Sequence, residues 1–317
     1  MSERRPLARY GPLLLMGAIL ALVPVATGGG LHYSRIMTLM LVYMAYAVAF
    51  NMIFGHTKQL FLCLGALAGS SAYLSVVLTR ELDLSPEVTI LVGTVFAGSL
   101  GGLLSYVSVR RGLGVIFVGI VTLTVSLIFQ NLLLGFRKYT NGETGIVTRG
   151  LGVGILERPE ASYYVFLALL VASLLVYDGL MNSRTGVAFR ALSDDEVTAE
   201  LAGIDVTRYK VLAASVGSAL IGLVGAVYAY YNGFISPSIF SLAHVDIIVL
   251  ITLLLGGVRT LSGPVLGGAV FMVIDELVRP FGQVNVLVYG TLLIVLFLTF
   301  RDGLVSVLRR TAKLPIP

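Results

Sequence analysis

Apolar residues gather along this chain in long runs separated by short polar breaks. Ten runs approach the ~20 residues that a helix needs to cross a bilayer core. They are 12–27, 34–54, 60–79, 88–109, 113–135, 162–181, 209–231, 243–256, 263–279 and 284–300. The run 243–256 is short, as a tilted or partial span would be. Nothing soluble of any size interrupts the series. The pattern therefore predicts an all-α fold: a polytopic transmembrane helical bundle forming one membrane-spanning domain over 1–317. Two longer polar stretches remain, 136–161 and 182–208.

Composition agrees with that pattern. Hydrophobic residues make up 57% of the 317 and charged residues 12%, against roughly 45–50% and 25% in soluble domains. Mean hydropathy is +0.93. Residues 1–27 also have the outline of a signal peptide, with Arg4, Arg5 and Arg9 before an apolar run that ends at Pro24, Val25 and Ala26.

Lys and Arg placement sets orientation, because cytoplasmic loops retain the excess. With the amino terminus inside, only Arg35, Arg80, Arg137, Lys138, Arg149, Arg158 and Arg279 of the 22 basic residues fall outside. Both termini are then cytoplasmic, 136–161 is an external loop and 182–208 a cytoplasmic one. The formal charge of +5 follows from the loops. No basic stripe with interleaved aromatics marks a nucleic-acid partner.

Candidate chemistry is sparse. Cys63 is the single cysteine, and His32, His56 and His244 are scattered, which leaves no zinc set. Walker A, His-Glu-x-x-His and Gly-x-Ser-x-Gly patterns are absent. Asp178, Asp246, Asp275 and Glu276 lie near span ends, so no midplane carboxylate relay of an ion-coupled carrier is visible. Gly65/Gly69, Gly98/Gly102 and Gly263/Gly267 have GxxxG spacing, and Ser218, Gly222 and Ala226 form a similar stripe. Such stripes serve packing within a bundle or self-association. Polar residues available to line a path are Asn51, Gln59, Thr122, Thr124, Gln130 and Asn131, with Asn51 and Gln59 flanking a break at Gly55-His56-Thr57-Lys58.

The segment 182–208 carries the densest charge. Ser193 and Glu196 have capping-box spacing, Asp194 and Asp195 add negative charge at a helix start, and Gly203 suits a left-handed C-terminal cap. A short helix over 194–202 follows, with Val197 and Leu201 on one face. That face fits another protein's groove or this chain's own bundle. Ser236-Pro237 reads as a further helix start, and Gly256-Gly257-Val258-Arg259 as an inner turn beside this loop.

The stretch NSRTGVAFRALSDDEVTAELAGIDVTRYK (182–210) resembles the cytoplasmic loop of the LivM-type branched-chain amino-acid permeases of ABC importers. The likeness continues through VYAYYNGFISPSIFS (227–241), LLLGGVRTLSGPVLGGA (253–269) and LVYGTLLIVLFLTFRDGLVSVL (287–308). Asn51, Gly55, Gln59 and Leu60 match a first-half motif of that family, and Ile120 to Leu123 a second. Lys58 stands where Gly is usual, Phe61 where Ser is usual, and Leu127 where many members carry Glu.

The resemblance implies that Arg190, Asp194, Asp195, Glu196, Ala199 and Gly203 form a coupling segment seated in an ATPase. It implies a translocation path lined by Asn51, Gln59, Thr122, Gln130 and Asn131. The expected partners are a second permease (LivH-like or a second copy), two ATPase subunits and an extracellular solute-binding protein, in the cell inner membrane. ATP and Mg belong to the ATPase subunits, and no cofactor or metal to this chain, which is not itself an enzyme. Branched-chain amino acids are the default cargo; urea, amides, other amino acids and nucleosides use related permeases. A stand-alone facilitator or secondary carrier for a small polar solute is the alternative.

Overall fold

The computed structural model describes residues 16–17, 19–22, 31–148, 154–278 and 285–299. Arg4, Arg5, Arg9, Arg149, Arg279, Arg301, Arg309, Arg310 and Lys313 lie outside the described residues, as does most of the signal-peptide segment.

The apolar runs become helices. They are α1 (Leu31–Phe50), α2 (Leu64–Leu82), α3 (Pro86–Arg110), α4 (Val115–Gly135), the short α5 (Arg137–Thr140) and α6 (Pro159–Met181). After these come α7 (Arg184–Asp194), α8 (Glu196–Leu201), α9 (Val206–Asn232), α10 (Asp246–Gly256), α11 (Gly263–Val278) and α12 (Asn285–Thr299). Five segments among the described residues are long and apolar enough to cross a membrane: Tyr33–Gly55, Pro86–Arg110, Val115–Gly135, Glu160–Met181 and Val206–Asn232. The fold is an all-α, multi-pass membrane bundle. Among the described residues, strand is confined to one antiparallel pair, Ile146–Val147 against Phe234–Ile235, which ties the 136–161 stretch to the end of α9.

Small residues set the packing order. Gly98, Gly101 and Gly102 of α3 face Ser215, Ser218 and Ala219 of α9, and a Cβ on Gly101 would overlap the Ser218 side chain. Gly65 and Gly69 meet Phe240 and Phe129, while Gly263 and Gly267 meet the backbone of Gly257, Thr252 and Gly256. The GxxxG pairs thus bring helices of one chain together, as van der Waals packing between membrane helices requires.

The span expected at 60–79 begins later than its hydropathy indicates. A π-helical turn, Asn51–Gly55, extends α1, and residues 58–63 then run without helix until Leu64. Non-helical backbone at membrane depth needs partners buried in protein. Thr122 Oγ1 accepts from Leu62 N at 2.9 Å and sits 3.2 Å from Leu60 O. Where α2 starts, the Asp246 carboxylate accepts from Leu64 N at 2.5 Å and Gly65 N at 3.3 Å. That is a helix N-terminal cap supplied from a different helix, 182 residues on in sequence.

The helix expected over 194–202 is divided. Its first residue closes α7, and Asp195 in extended conformation separates α7 from the six-residue α8. The capping box is corrected accordingly. Ser193 Oγ donates back to Arg190 O, while Asp195 Oδ1 accepts from Thr198 N at 2.8 Å and caps α8. Ser193 is within the last turn of a helix, where its hydroxyl bonds a preceding carbonyl instead of capping. Pro237 does open a short 3₁₀ turn, Pro237–Phe240, although Ser236 Oγ bonds Ser238 rather than a backbone amide.

Candidate functional site

The predicted coupling residues lie on α7, on α8 and in the turns that join α7 to α8 and α8 to α9. Asp195 caps α8, and its carboxyl is held below the usual range first by the Thr198 amide. Gly203, at φ +85°, ends α8: its N–H donates to Glu200 O, and that of Ile204 to Ala199 O. These two bonds form a Schellman cap. Ala199 is buried with Phe189, Leu192, Val206 and Ala213 in a small apolar cluster that seats α8 on α7 and α9. The opposite side of α8 is bare: Val197 is 67% and Leu201 84% exposed.

Glu196 does not reach back to an amide. Both of its carboxylate oxygens lie 2.6 Å from Lys210 Nζ, and Lys210 is buried in the first turns of α9. Gln59 Nε2 donates to the Lys210 carbonyl at 3.2 Å, and Gln59 Oε1 accepts from Ser105 Oγ at 2.7 Å. A continuous polar chain therefore runs from α8 through α9 to the non-helical stretch and α3. Lys210 was not among the residues singled out from sequence. Its signal was a cation within the first turns of an apolar run, which needs a partner to be buried there.

A second junction lies where the α10–α11 turn meets the π-helical turn. Asn51 is fully buried: its Oδ1 accepts from Arg259 N at 2.8 Å, and its Nδ2 donates to Thr260 O at 2.9 Å. Arg259, at φ +66°, also donates through Nε to Gly55 O and through its terminal nitrogen to Ser193 O. The α10–α11 turn is thus beside the 182–208 loop, tied to the end of α7. Lys58, at φ +53°, occupies a left-handed position that costs a non-glycine residue about 1 kcal/mol, and its Nζ lies 3.5 Å from Asp194 O. Its departure from the usual glycine has this physical consequence. Burial first, then Arg259 and Arg190, push His56 down to about 4, so its imidazole is neutral near pH 7. His56 Nε2 lies 2.7 Å from the Tyr177 hydroxyl.

The five residues expected along a path do not share one surface. Asn51, Gln59 and Thr122 are buried, with their polar atoms engaged in the bonds above. Asn131 is on the opposite side of α4 from Thr122, since nine residues at 100° each make a half-turn. It is exposed and donates to Leu127 O. With Thr124, Leu127 and Phe136 it lines an open groove of about 540 Å³ on α4. Gln130 is half-buried one residue before Asn131. Leu127, one of the departures, thus lies in the groove, whereas Phe61 is fully buried in the core.

The described residues thus define a multi-pass, predominantly helical membrane protein with a capped short helix that exposes an apolar face. The chain belongs to the family described as "Branched-chain amino acid transport system / permease component", whose model matches residues 32–299. It is 27% identical to the high-affinity branched-chain amino acid transport system permease protein LivM of Salmonella typhimurium, over 93% of this chain and 76% of that protein. LivM of Escherichia coli K12 matches to the same extent. A probable branched-chain amino acid transport permease protein LivH of Methanocaldococcus jannaschii is 23% identical over 71% of this chain and 75% of its own. No solved structure matches. The chain is a permease subunit, and these relatives are transport permeases.

Proposed function

We propose that this chain is one of two membrane subunits of an ATP-binding-cassette importer in the inner membrane, carrying branched-chain or related amino acids. In this reading the chain has ten spans, with both termini and the 182–208 loop in the cytoplasm. The second permease is a LivH-like chain or a second copy, two ATPase subunits dock on the cytoplasmic side with ATP and Mg, and an extracellular binding protein delivers cargo.

The observation that carries this reading is α8. It is fixed at both ends, seated on α7 and α9 by one side, and presents Val197 and Leu201 on the other. A short helix held so firmly with an uncovered apolar face suits insertion into a partner's groove. Closure of the ATPase pair would displace α8, and the Glu196–Lys210–Gln59 chain would carry that displacement into the bundle as a rigid-body motion. The α4 groove with Thr124, Leu127 and Asn131 is the candidate lining of the path between the two permeases, with Gln130 next to it in sequence. Asn51, Gln59 and Thr122 would act on the path indirectly, by holding the backbone beside it.

Affinity purification of the tagged chain from its own membranes tests the assignment. An ATPase pair and a second permease should accompany the wild type and be lost when Asp195→Lys and Glu196→Lys are combined. That pair of changes removes the α8 cap and sets a lysine against Lys210. Recovery of the chain alone, under conditions that preserve known complexes, would favour the stand-alone carrier.

A further inference from the structure

The spans α3, α6 and α9 leave a groove of about 400 Å³ between them; α3 and α9 form most of it, and Val176 of α6 closes one side. All three helices are long and apolar enough to cross a membrane, so the medium around the groove is hydrocarbon. The hydroxyls of Thr94 and Ser99 in its wall donate to Ile90 O and Val95 O of their own helix, each at 2.8 Å. What remains is an apolar surface. The described part of the first apolar run packs elsewhere on α6, with Gly17 beside Val171 and Leu20 O accepting from the Tyr163 hydroxyl. Between Val171 and Val176 the helix turns by about 140°, which leaves the groove uncovered by that part.

One end of the groove is cationic. Leu223, Ala219, Ser215, Leu212 and Arg208 form one stripe of α9, and Gly98, Gly102, Tyr106 and Arg110 follow each other at four-residue spacing on α3. The two helices run antiparallel here: Gly98 meets Ala219, and Gly102 meets Ser215. Continued by two turns, that register brings Arg110 level with Arg208. Arg110 lies over the Tyr106 ring, 5.4 Å from its centre, as aromatic rings and snorkelling cations do at headgroup level. Both guanidiniums are exposed, and among the described residues neither is within ion-pair distance of a carboxylate. Asp205, beside Arg208 in sequence, caps α9 by accepting from Arg208 N at 2.9 Å. At ~1.5 Å per residue, the stretch from Ser215 to Leu223 lies about 10–22 Å along α9 from Arg208. That is acyl-chain depth beneath a headgroup, since half of a bilayer measures about 20–22 Å.

We propose that this groove is a binding site for one anionic phospholipid of the membrane. An acyl chain would lie along α9 between α3 and α6, with the phosphate on Arg110 and Arg208. Basic residues at the rim of a gap between membrane helices are the arrangement that anionic headgroups recognise. The groove shares no lining residue with the α4 groove. Lipid binding is independent of what the permease carries; only the leaflet, the cytoplasmic one, rests on the orientation in the importer reading.

The chain has no tryptophan, so a single one can report on the groove. Val95→Trp places it on the exposed rim, and Phe96→Trp, one residue on and about 100° round the same helix, is the control at equal depth. The full chain is put into phosphatidylcholine nanodiscs, alike in both leaflets, with a few mole per cent of phosphatidylglycerol whose brominated acyl chains quench tryptophan on contact. Phosphatidylglycerol should prefer the Val95→Trp position over the control by about tenfold, whereas brominated phosphatidylcholine should show no such preference. Arg110→Gln and Arg208→Gln should each reduce the preference roughly fivefold. Ser99→Phe, which narrows the groove and leaves both guanidiniums in place, should reduce it as well. Native mass spectrometry of the tryptophan-free chain reads the same losses as phosphatidylglycerol retained. Equal quenching at the two positions, or a preference indifferent to both arginine changes, would overturn the proposal. So would a preference that survives Ser99→Phe, which would make it a general attraction of anionic lipid to surface charge. A Val95→Trp chain that no brominated lipid quenches, and that runs as a dimer, would give the groove to a second protein chain instead.

Discussion

Two membrane spans of nearly equal hydropathy end in opposite surroundings. The span Tyr33–Gly55, with mean hydropathy 1.9, is 72% buried within the chain, whereas Val115–Gly135, at 2.1, is 22% buried. Lipid and protein interior are equally apolar, so hydropathy puts both helices in the membrane and says nothing about depth in the bundle. Small residues and polar cross-links decide that. α1 is buried on nearly all sides from Leu41 to Phe50, and its π-helical end is bonded through Asn51 to the α10–α11 turn. α4 touches the bundle through one stripe, Val118, Gly119, Thr122, Ser126 and Leu133, and exposes bulky Ile116, Phe117, Leu127 and Ile128 elsewhere.

The comparison breaks most readily at Asn51. Asn51→Leu leaves the Arg259 amide and the Thr260 carbonyl without their buried partner, at roughly 1–3 kcal/mol each. A loss of about 4 kcal/mol should appear as a collapse of monodisperse protein in thermal-stability chromatography. A melting temperature unchanged by more than a few degrees would mean that α1 is held by packing alone.

His56, one residue beyond the same span, sharpens the point through pH. Its folded pKa of about 4 lies below the ordinary histidine value of 6.5, so the unfolded chain binds the proton more readily. Stability should therefore be full above about pH 6.5 and fall as pH drops toward 4, by at most about 3 kcal/mol. His56→Phe should flatten that part of the melting-temperature profile. An equally steep fall in the variant would assign the pH effect to other groups.

Lys58→Gly relieves the left-handed backbone at the end of the π-helical segment. It should raise stability by roughly 0.5–1 kcal/mol, read as a small upward shift in melting temperature. A drop of similar size would show that the Lys58 contact with Asp194 O outweighs the strain. The smallest effect belongs to α4: Ile128→Ala on its exposed side should change the isolated chain by less than about 0.5 kcal/mol. A cost above 2 kcal/mol would mean that this face is already covered.

Legibility in the sequence divides along physical lines. The long helices of the described residues, a break near Lys58, the Gly203 cap and the common face of Val197 and Leu201 were readable, whereas α7 was not. Each depends on period, turn chemistry or backbone conformation within a few residues. The Ser193 capping box failed because the α7 helix runs through Ser193 and moves the boundary to Asp195. Glu196 was singled out, but its partner Lys210 is fourteen residues away, and no local rule pairs them. Asn51, Gln59 and Thr122 stood out as polar residues within or beside apolar runs. Which polar groups they satisfy was set by elements 46 to 209 residues distant.

By itself the sequence determined a multi-pass helical membrane protein, its permease family and the short charged segment between α6 and α9. The first and last follow from transfer free energy and local backbone preference, which act residue by residue; the family follows from the resemblance of its motifs. Only the tertiary structure decided that α2 starts late under a cap from Asp246, that Glu196 is anchored by Lys210, and that α3, α6 and α9 enclose one groove. Hydrogen bonds and ion pairs are short-ranged, and which groups come within their reach depends on how the whole bundle packs.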